Sequence, residues 1–408
     1  MSKERFGLNK PRLWIVSELF YPEQSSTAAI LTEIAESMSL TRDVHVLCGP
    51  KGYESVNYTK SDDHLPGITI HRINIFNFNK NIFWKRIVRM IGISMALCLC
   101  FLFKARKREN VLIVTNPALL LIFFTWIARL KKSNLSILVH DIFPENSIAA
   151  GIISKKTSIL YRFLLKIFNR SYRRANRLIA IGSDMAEVLE KKIRKKNKKT
   201  VEIIVIPNWS DIDKIKPIPK DDTHLKRWGV ENKFVFLFAG NMGRVQGLNK
   251  LSEIIDKVKN PLVYFIFLGE GAYKERLKEL TKDNLNVMIG ESFSRDQQEV
   301  FLNSCQVALI SLSPNMYGLG VPSKFYNILA AAKPILYIGE SGSEIDRYIL
   351  KYNIGWSFSD YDDELVQFFN NVDERYFDIA FQLGVNARIC AENIFSKKKI
   401  MKQFDTVL

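Results

Sequence analysis

Cysteine is scarce in this chain of 408 residues, and what there is does not pair. The five present, Cys48, Cys98, Cys100, Cys305 and Cys390, are odd in number and form neither a CxxC pair nor a metal-ligand spacing. This argues against a disulfide scaffold or a zinc module and for reduced thiols in the cytosol. The amino-terminal stretch MSKERFGLNKPRLWIV lacks an apolar signal core, so no export signal is expected. The apolar run from Met90 to Phe103 holds 14 residues, short of the roughly 20 that a spanning helix needs. Low-complexity tracts are missing, and no repeat is visible below the level of a whole domain.

Negative charge is short in one half only. Residues 1–208 carry 34 Lys and Arg against 16 Asp and Glu, net +18, whereas the remaining 200 carry 25 against 26, net −1. Such asymmetry points to an anionic partner for the first half, either nucleic acid or a phospholipid surface. Two passages favour the lipid. The run Met90 to Phe103 is flanked by Lys85, Arg86 and Arg89 and by Lys104, Arg106, Lys107 and Arg108. The stretch ILYRFLLKIFNRSYRRANRL, Ile159 to Leu178, mixes aromatics and Leu/Ile with arginine at helical spacing, as an interfacial helix does. Either alone also fits a core helix with a basic edge. The run KKIRKKNKK, Lys191 to Lys199, has no aromatic interleaving and reads as a solvated helix end.

What the chain does have is short runs of Val, Ile and Phe separated by longer helical segments. In the first half these are LWIVSE, VHVLCG, ITIHRI, VLIVTN, LSILVHD, RLIAIG and VEIIVIPN; in the second, FVFLFAGN, LVYFIFLGEG, NVMIGE, CQVALISL and PILYIGE. Near-continuous apolar strands alternating with helices indicate parallel sheets covered on both faces. The fold class expected is α/β, with two doubly wound, Rossmann-like domains facing a central cleft. The break falls in PNWSDIDKIKPIPKDDTH, where prolines and charges cluster.

In such sheets ligands bind at the carboxyl ends of the strands. The first exit carries Ser25, Ser26 and Thr27, able to cap the next helix and to meet an anion there, although capping alone would explain them. The exit LVHDIFPEN offers His140 and Asp141, with Glu145 four residues on; a histidine here is either structural or bonds a sugar hydroxyl or a developing charge. In FAGNMGRVQGL, glycines including Gly243 let a ligand approach the backbone, and Arg244 suits a diphosphate. That segment does not read as a GxGxxG dinucleotide fingerprint. Gly269 and Glu270 of FLGEGAYKERL fit a base or ribose. The most specific signal is GLGVPSKFYNILAAAKP: Pro322 stiffens the approach, Ser323 caps the helix, Lys324 adds a full charge, and Asn327 follows one turn inside.

These segments, in this order, together with IPNWSDID, resemble the family 4 retaining glycosyltransferases of the GT-B fold, and among them the bacterial subgroup making O-antigen, capsule and colanic-acid polysaccharides (WcaI-like and WbuB-like enzymes). The resemblance spans nearly the whole chain. It implies that a nucleotide-sugar diphosphate, most simply of a UDP-sugar, is held by Arg244, Ser323 and Lys324, and that His140 lies by the transferred sugar. It also implies a polyprenyl-diphosphate-linked acceptor, no cofactor and no metal, so that DID at Asp211 to Asp213 is a connection and not a metal site.

Departures from the family pattern are specific. Two glutamates common in relatives fall at Leu319 and Asn327, and an Arg and Lys of the glycine loop fall at Asn241 and Gln246, leaving Arg244 as the replacement. The expected organisation is an acceptor-binding, membrane-associating domain over 1–208, a donor-binding domain over 209–385, and a terminal helix, about 386–408, returning to the first. The expected place is the cytoplasmic membrane face, as a peripheral protein without nucleic acid. Competing readings are a GT-B-fold nucleotide-sugar epimerase, a nucleic-acid binder, and a nicotinamide oxidoreductase, the last disfavoured by the missing fingerprint.

Overall fold

Strands β1 (Arg12–Ser17), β4 (Asn110–Val114), β5 (Asn134–Val139), β8 (Phe234–Ala239), β9 (Val263–Leu268) and β11 (Val307–Ser311) are apolar through most of their length and buried on both faces. Burial on both faces requires helices on each side of the sheet, which is what parallel crossovers supply. A computed structural model describes residues 10–23, 25–51, 64–73, 83–149, 151, 158–194 and 201–408, with residues 83–87 described by backbone alone. The other strands are β2 (Asp43–Cys48), β3 (Ile68–Arg72), β6 (Arg177–Ala180), β7 (Glu202–Val205), β10 (Val287–Gly290), β12 (Ile335–Ile338) and β13 (Gly355–Phe358).

They form two sheets, ordered β3-β2-β1-β4-β5-β6-β7 and β10-β9-β8-β11-β12-β13. Every ladder between these strands is parallel. In both sheets the chain starts at a middle strand, winds to one edge, returns and winds to the other, which places a crevice at the carboxyl ends of the strands. The two-domain α/β expectation therefore holds. Strand β13 is the one that the sequence reading passed over: it is four residues long, half-buried, and lies at a sheet edge. It begins at Gly355, φ +153°, where an added Cβ would stand 1.9 Å from the Ile335 carbonyl oxygen.

The domains meet through two helix amino termini. Glu344 Oε2 accepts from the Ser183 N–H at 2.7 Å, while Asp184 Oδ2 accepts from the Glu344 N–H at 3.0 Å. Each helix is thus capped by a carboxylate of the opposing domain, which satisfies end groups that have no partner within their own helix. Nearby, the Ile142 N–H donates to the Leu319 carbonyl oxygen at 3.0 Å.

At the carboxyl end, helix Arg375–Asn393 stays with the second domain, so close that a Cβ on Gly384 would lie 2.3 Å from the Ala332 carbonyl oxygen. Only the helix Lys397–Val407 lies on the first domain, through a Lys397–Glu33 ion pair of 3.0 Å and a Thr41–Asp405 bond of 2.9 Å.

Arg388 ties these parts together. Its guanidinium donates to the carbonyl oxygens of Ile212 and Ile215 in the connection, at 3.1 and 2.8 Å, and of Ala330, at 2.6 Å. Replacing Arg388 by Ala leaves three carbonyls without their donor and is expected to lower unfolding free energy by about 2 to 4 kcal/mol. The check is a urea midpoint at unchanged slope; Arg388→Lys should restore only part, because an ammonium cannot span three carbonyls with a planar fork.

Candidate active site

Lys324 is the least conventional side chain in the cleft. The residue is half-buried, but its Nζ is sealed from water and has no hydrogen-bond partner. It stands 3.4 Å from the Phe238 ring centroid, at the end of β8, and faces Gly240, whose added Cβ would lie 3.8 Å from Nζ. Burial pushes its pKa down to about 7. A ring face offsets part of the lost hydration of an ammonium, but not all of it. An anion entering the cleft would supply the rest.

Contacts link the strand exits around it. Gly269, φ +146°, sits where a Cβ would stand 1.9 Å from the Gly240 carbonyl oxygen, and the Met242 N–H donates to the Glu270 carbonyl oxygen at 2.8 Å. These glycines let the β8 and β9 exits lie on each other. Across the cleft, a Cβ on Gly320 would lie 3.1 Å from the His140 carbonyl oxygen and 3.4 Å from Asp141 Oδ1. The loop that carries Pro322 to Lys324 therefore touches the exit of β5.

Ser323 does not cap the helix Lys324–Ala330, contrary to expectation. Its backbone is already helical (φ −61°, ψ −25°), because the turn starts earlier with the Phe325 N–H donating to the Pro322 carbonyl oxygen at 3.1 Å. A cap needs extended backbone to fold its hydroxyl back. The Ser323 hydroxyl instead donates to Ser26 Oγ of the first domain at 3.3 Å. Ser25 does cap its helix, accepting from the Ala28 N–H at 3.2 Å; Thr27 beside it is half-buried.

His140 has its Nε2 sealed without a partner, and burial pulls its pKa down to about 4, so the ring is neutral at pH 7. Thr115 Oγ1 holds the turn by accepting from the backbone N–H groups of His140 and Asp141, at 3.2 and 3.1 Å. Burial raises the Asp141 carboxyl to about 6, opposed in part by a 2.8 Å bond from Asn146 Nδ2. Glu145 is turned elsewhere: it pairs with the buried Lys192 at 2.6 Å. Lys192 is therefore not part of a solvated helix end, and residues 195–199 of that run lie outside the described residues.

Arg244 is exposed in a short 3-10 turn after Gly243, with no carboxylate partner among the described residues. Glu270 is exposed and bonded to Lys274, which also holds Glu291 at 2.7 Å. Asn327 is engaged within the chain: its Oδ1 accepts from the Asp211 N–H at 3.4 Å and its Nδ2 donates to Gln298 at 3.2 Å. Leu319 is 6% exposed at the domain contact, so no carboxylate enters the site from that position. Sequence reasoning missed Phe238 and Lys274. The (i, i+4) spacing of Glu270 and Lys274 was a usable signal; the ring under Lys324 had none.

No family model matches the chain. Over 285 residues, 68% of this chain and 69% of the relative, it is 36% identical to Probable glycosyltransferase WbjE of Pseudomonas aeruginosa. The chain belongs to the GT-B glycosyltransferases of the O-antigen and colanic-acid group. This glycosyltransferase is also 24% identical, over 226 residues and 54% of each chain, to the colanic acid biosynthesis glycosyl transferase WcaI of Escherichia coli (strain K12). Its fold matches HepE of Anabaena, solved in complex with UDP and glucose, with a TM-score of 0.69 at 14% identity over 97% of this chain and 98% of that one. Transferase relatives count against the epimerase reading, and the chain is a glycosyltransferase.

A sealed ammonium without a partner costs stability. Lys324→Met is expected to raise the unfolding free energy of the ligand-free glycosyltransferase by about 1 to 3 kcal/mol. The Lys324 pKa is lowered on folding, so between about 7 and 10.5 the unfolded chain binds the extra proton and wild-type stability rises with pH across that window. The advantage of the Met variant should thus be largest below pH 7 and shrink toward pH 10.5, as read from thermal melts at several pH values.

Proposed function

We propose that this glycosyltransferase moves a sugar, with retention of configuration, from a UDP-linked donor to a polyprenyl-diphosphate-linked saccharide at the cytoplasmic face of the membrane, as a family 4 enzyme working without metal or cofactor. The observation that carries the reading is the sealed, unpartnered Lys324 ammonium over Phe238. A diphosphate is the kind of anion that such a cation accommodates, and the fold neighbour HepE was solved with UDP and glucose.

In this reading Lys324 and Arg244 flank the diphosphate, and the Ser323 hydroxyl exchanges its bond to Ser26 for a phosphate oxygen. Gly243 and Gly269 give the donor close access to backbone, with Glu270, steadied by Lys274, toward the ribose. Pro322 holds the loop. Asn327 reaches the donor only by releasing Gln298 or the Asp211 N–H. As the bond from C1 to the diphosphate breaks, its electrons collect on the phosphate oxygen beside Lys324, where a fixed cation in a dry site is worth most. The acceptor hydroxyl bonds to C1 and its proton passes to the departing diphosphate or to water. The neutral His140 ring bonds the transferred sugar, and Asp141, with Ser25 to Thr27, lies toward the acceptor on the basic first domain. The helix Lys324–Ala330 has only seven residues, so its dipole adds little to the lysine.

Four measurements test this. Incubation with a panel of nucleotide sugars should show nucleotide release stimulated by membrane lipid extract; release that ignores the extract, with an epimerised sugar as product, would favour the epimerase. Lys324→Ala should lose about 2 to 4 kcal/mol of transition-state stabilisation, a rate loss of about 30- to 1,000-fold; full activity would refute the role. UDP affinity should fall as pH rises through about 7, where free Lys324 gives up its proton, and the Lys324→Met variant should lack that step while retaining any due to Asp141. Protein that stays soluble beside membranes at low salt would sink the lipid-acceptor reading.

A further inference from the structure

The strands β3, β4 and β5 are each followed by a helix that crosses toward β7. Right-handed crossovers in one direction all lie on one face of a sheet. Helices Phe83–Lys104, Ala118–Lys131 and Ile159–Tyr172 are accordingly neighbours, the middle one in contact with both others. No helix among the described residues is long and apolar enough to cross a membrane. Their inner faces enter the first core through Leu97, Phe101, Phe124 and Phe168.

The outer faces are unusual. Phe103 is 82% exposed, Leu130 68%, Leu160 and Phe163 59%, and Trp126 51%. On the middle helix the exposed indole carries the Arg174 guanidinium at 3.5 Å from its ring centroid and that of Arg170 at 5.7 Å. Burial and the neighbouring Arg170 and Arg129 charges lower the Arg174 pKa, so these cations crowd one another. None of the three has a carboxylate partner among the described residues. The groove beyond them is lined further by Lys166, Arg173 and Lys191, which outnumber the two glutamates there, Glu187 and Glu190. An excess of cations without ion pairs beside exposed large apolar side chains needs a partner that is anionic and apolar at once. Nucleic acid meets the first requirement and leaves Leu130, Leu160 and Phe163 in water. A bilayer meets both.

We propose that the outer face of these three helices is the surface on which the enzyme lies on an anionic bilayer, with Trp126 at the interface and Arg129, Arg170 and Arg174 on lipid phosphates. This rests on the membrane reading above and adds its orientation. A helix that follows a strand starts at the carboxyl edge of the sheet and ends at the amino edge. Leu160 and Phe163, in the first turns of their helix, therefore lie on the cleft side, and the arginines lie at the far end. A bilayer touching both runs along the helices and up to the cleft rim, so a lipid-linked acceptor reaches the site while its tail stays in the membrane.

Vesicle flotation tests the assignment with the full chain and phosphatidylcholine vesicles, with or without phosphatidylglycerol. Wild type should float with the anionic vesicles only, and replacing Arg129, Arg170 and Arg174 together by Gln should weaken binding about fivefold per arginine, on the order of 100-fold in all. Leu160→Ser with Phe163→Ser should abolish the part of binding that survives high salt. Trp126→Phe should remove most of the vesicle-induced shift in tryptophan emission. Unchanged UDP binding by the arginine variant verifies that it is folded. If wild type floats and the arginine variant floats equally well, this face is wrong although the membrane reading stands. If wild type fails to float on either vesicle, both fail, and the donor chemistry is judged separately from nucleotide release. Duplex DNA that displaces the vesicles and binds the Leu160→Ser, Phe163→Ser variant normally would overturn the assignment in favour of nucleic acid.

Discussion

Two helices point their amino termini at each other across the domain boundary, and each is capped by a carboxylate from the other domain: Ser183 by Glu344, and Glu344 by Asp184. Helix amino termini carry partial positive charge, so two of them in opposition would repel if left bare. Reciprocal capping turns that repulsion into attraction, and both carboxylates are nearly inaccessible to water. Burial together with the nearby Glu344 charge lifts the Asp184 pKa to about 6, a sign of how closely the two are packed. Everything in the cleft inherits its spacing from this contact. It sets the Gly318 to Pro322 loop against the β5 exit, and with it the separation of His140 from the lysine four residues beyond Gly320.

Lys192 and Lys324 both hold their ammonium groups away from water, and they are used in opposite ways. Lys192 is closed by a bidentate approach to Glu145, with distances of 2.6 and 2.7 Å, so its charge is neutralised within the fold. Lys324 has a ring face and a glycine beside it, and no acceptor. The first is a structural ion pair. The second has no partner in the fold to balance its charge, which lowers its pKa and the stability of the protonated form and leaves an electrostatic demand that a diphosphate can meet. Functional sites often store destabilisation of this kind.

Charge asymmetry between the halves has a similar logic. The second domain carries nearly equal numbers of opposite charges, and many are paired locally, as in the Glu270–Lys274–Glu291 group. The first domain leaves cations unpaired on one face, where large apolar side chains are also exposed. The long basic and apolar passages turn out to be core helices and surface helices at once, because a helix on a sheet has an inner and an outer face.

The succession of strands along the chain, their division between two sheets and the places of the strand exits were legible in the sequence, because each depends on local runs: apolar residues four to six long, bounded by glycine, proline or polar residues. The family resemblance rested on the same runs in order. Edge strand β13 was not legible, since its four residues, GWSF, lack the run of Val, Ile or Met that marks the equally short and half-buried β10. Local spacing also misassigned Ser323, and it left open where Glu145 turns. Whether a serine caps depends on where the turn before it begins, and a glutamate near a histidine in the chain can be claimed by a lysine 47 residues away. The amino-acid sequence by itself determined the two parallel sheets, the glycine-rich exits and the excess of positive charge in one half. Only the tertiary structure decided which of the cations lack a partner, because pairing is a matter of distances between elements far apart in the chain, and those distances exist only once both sheets are packed.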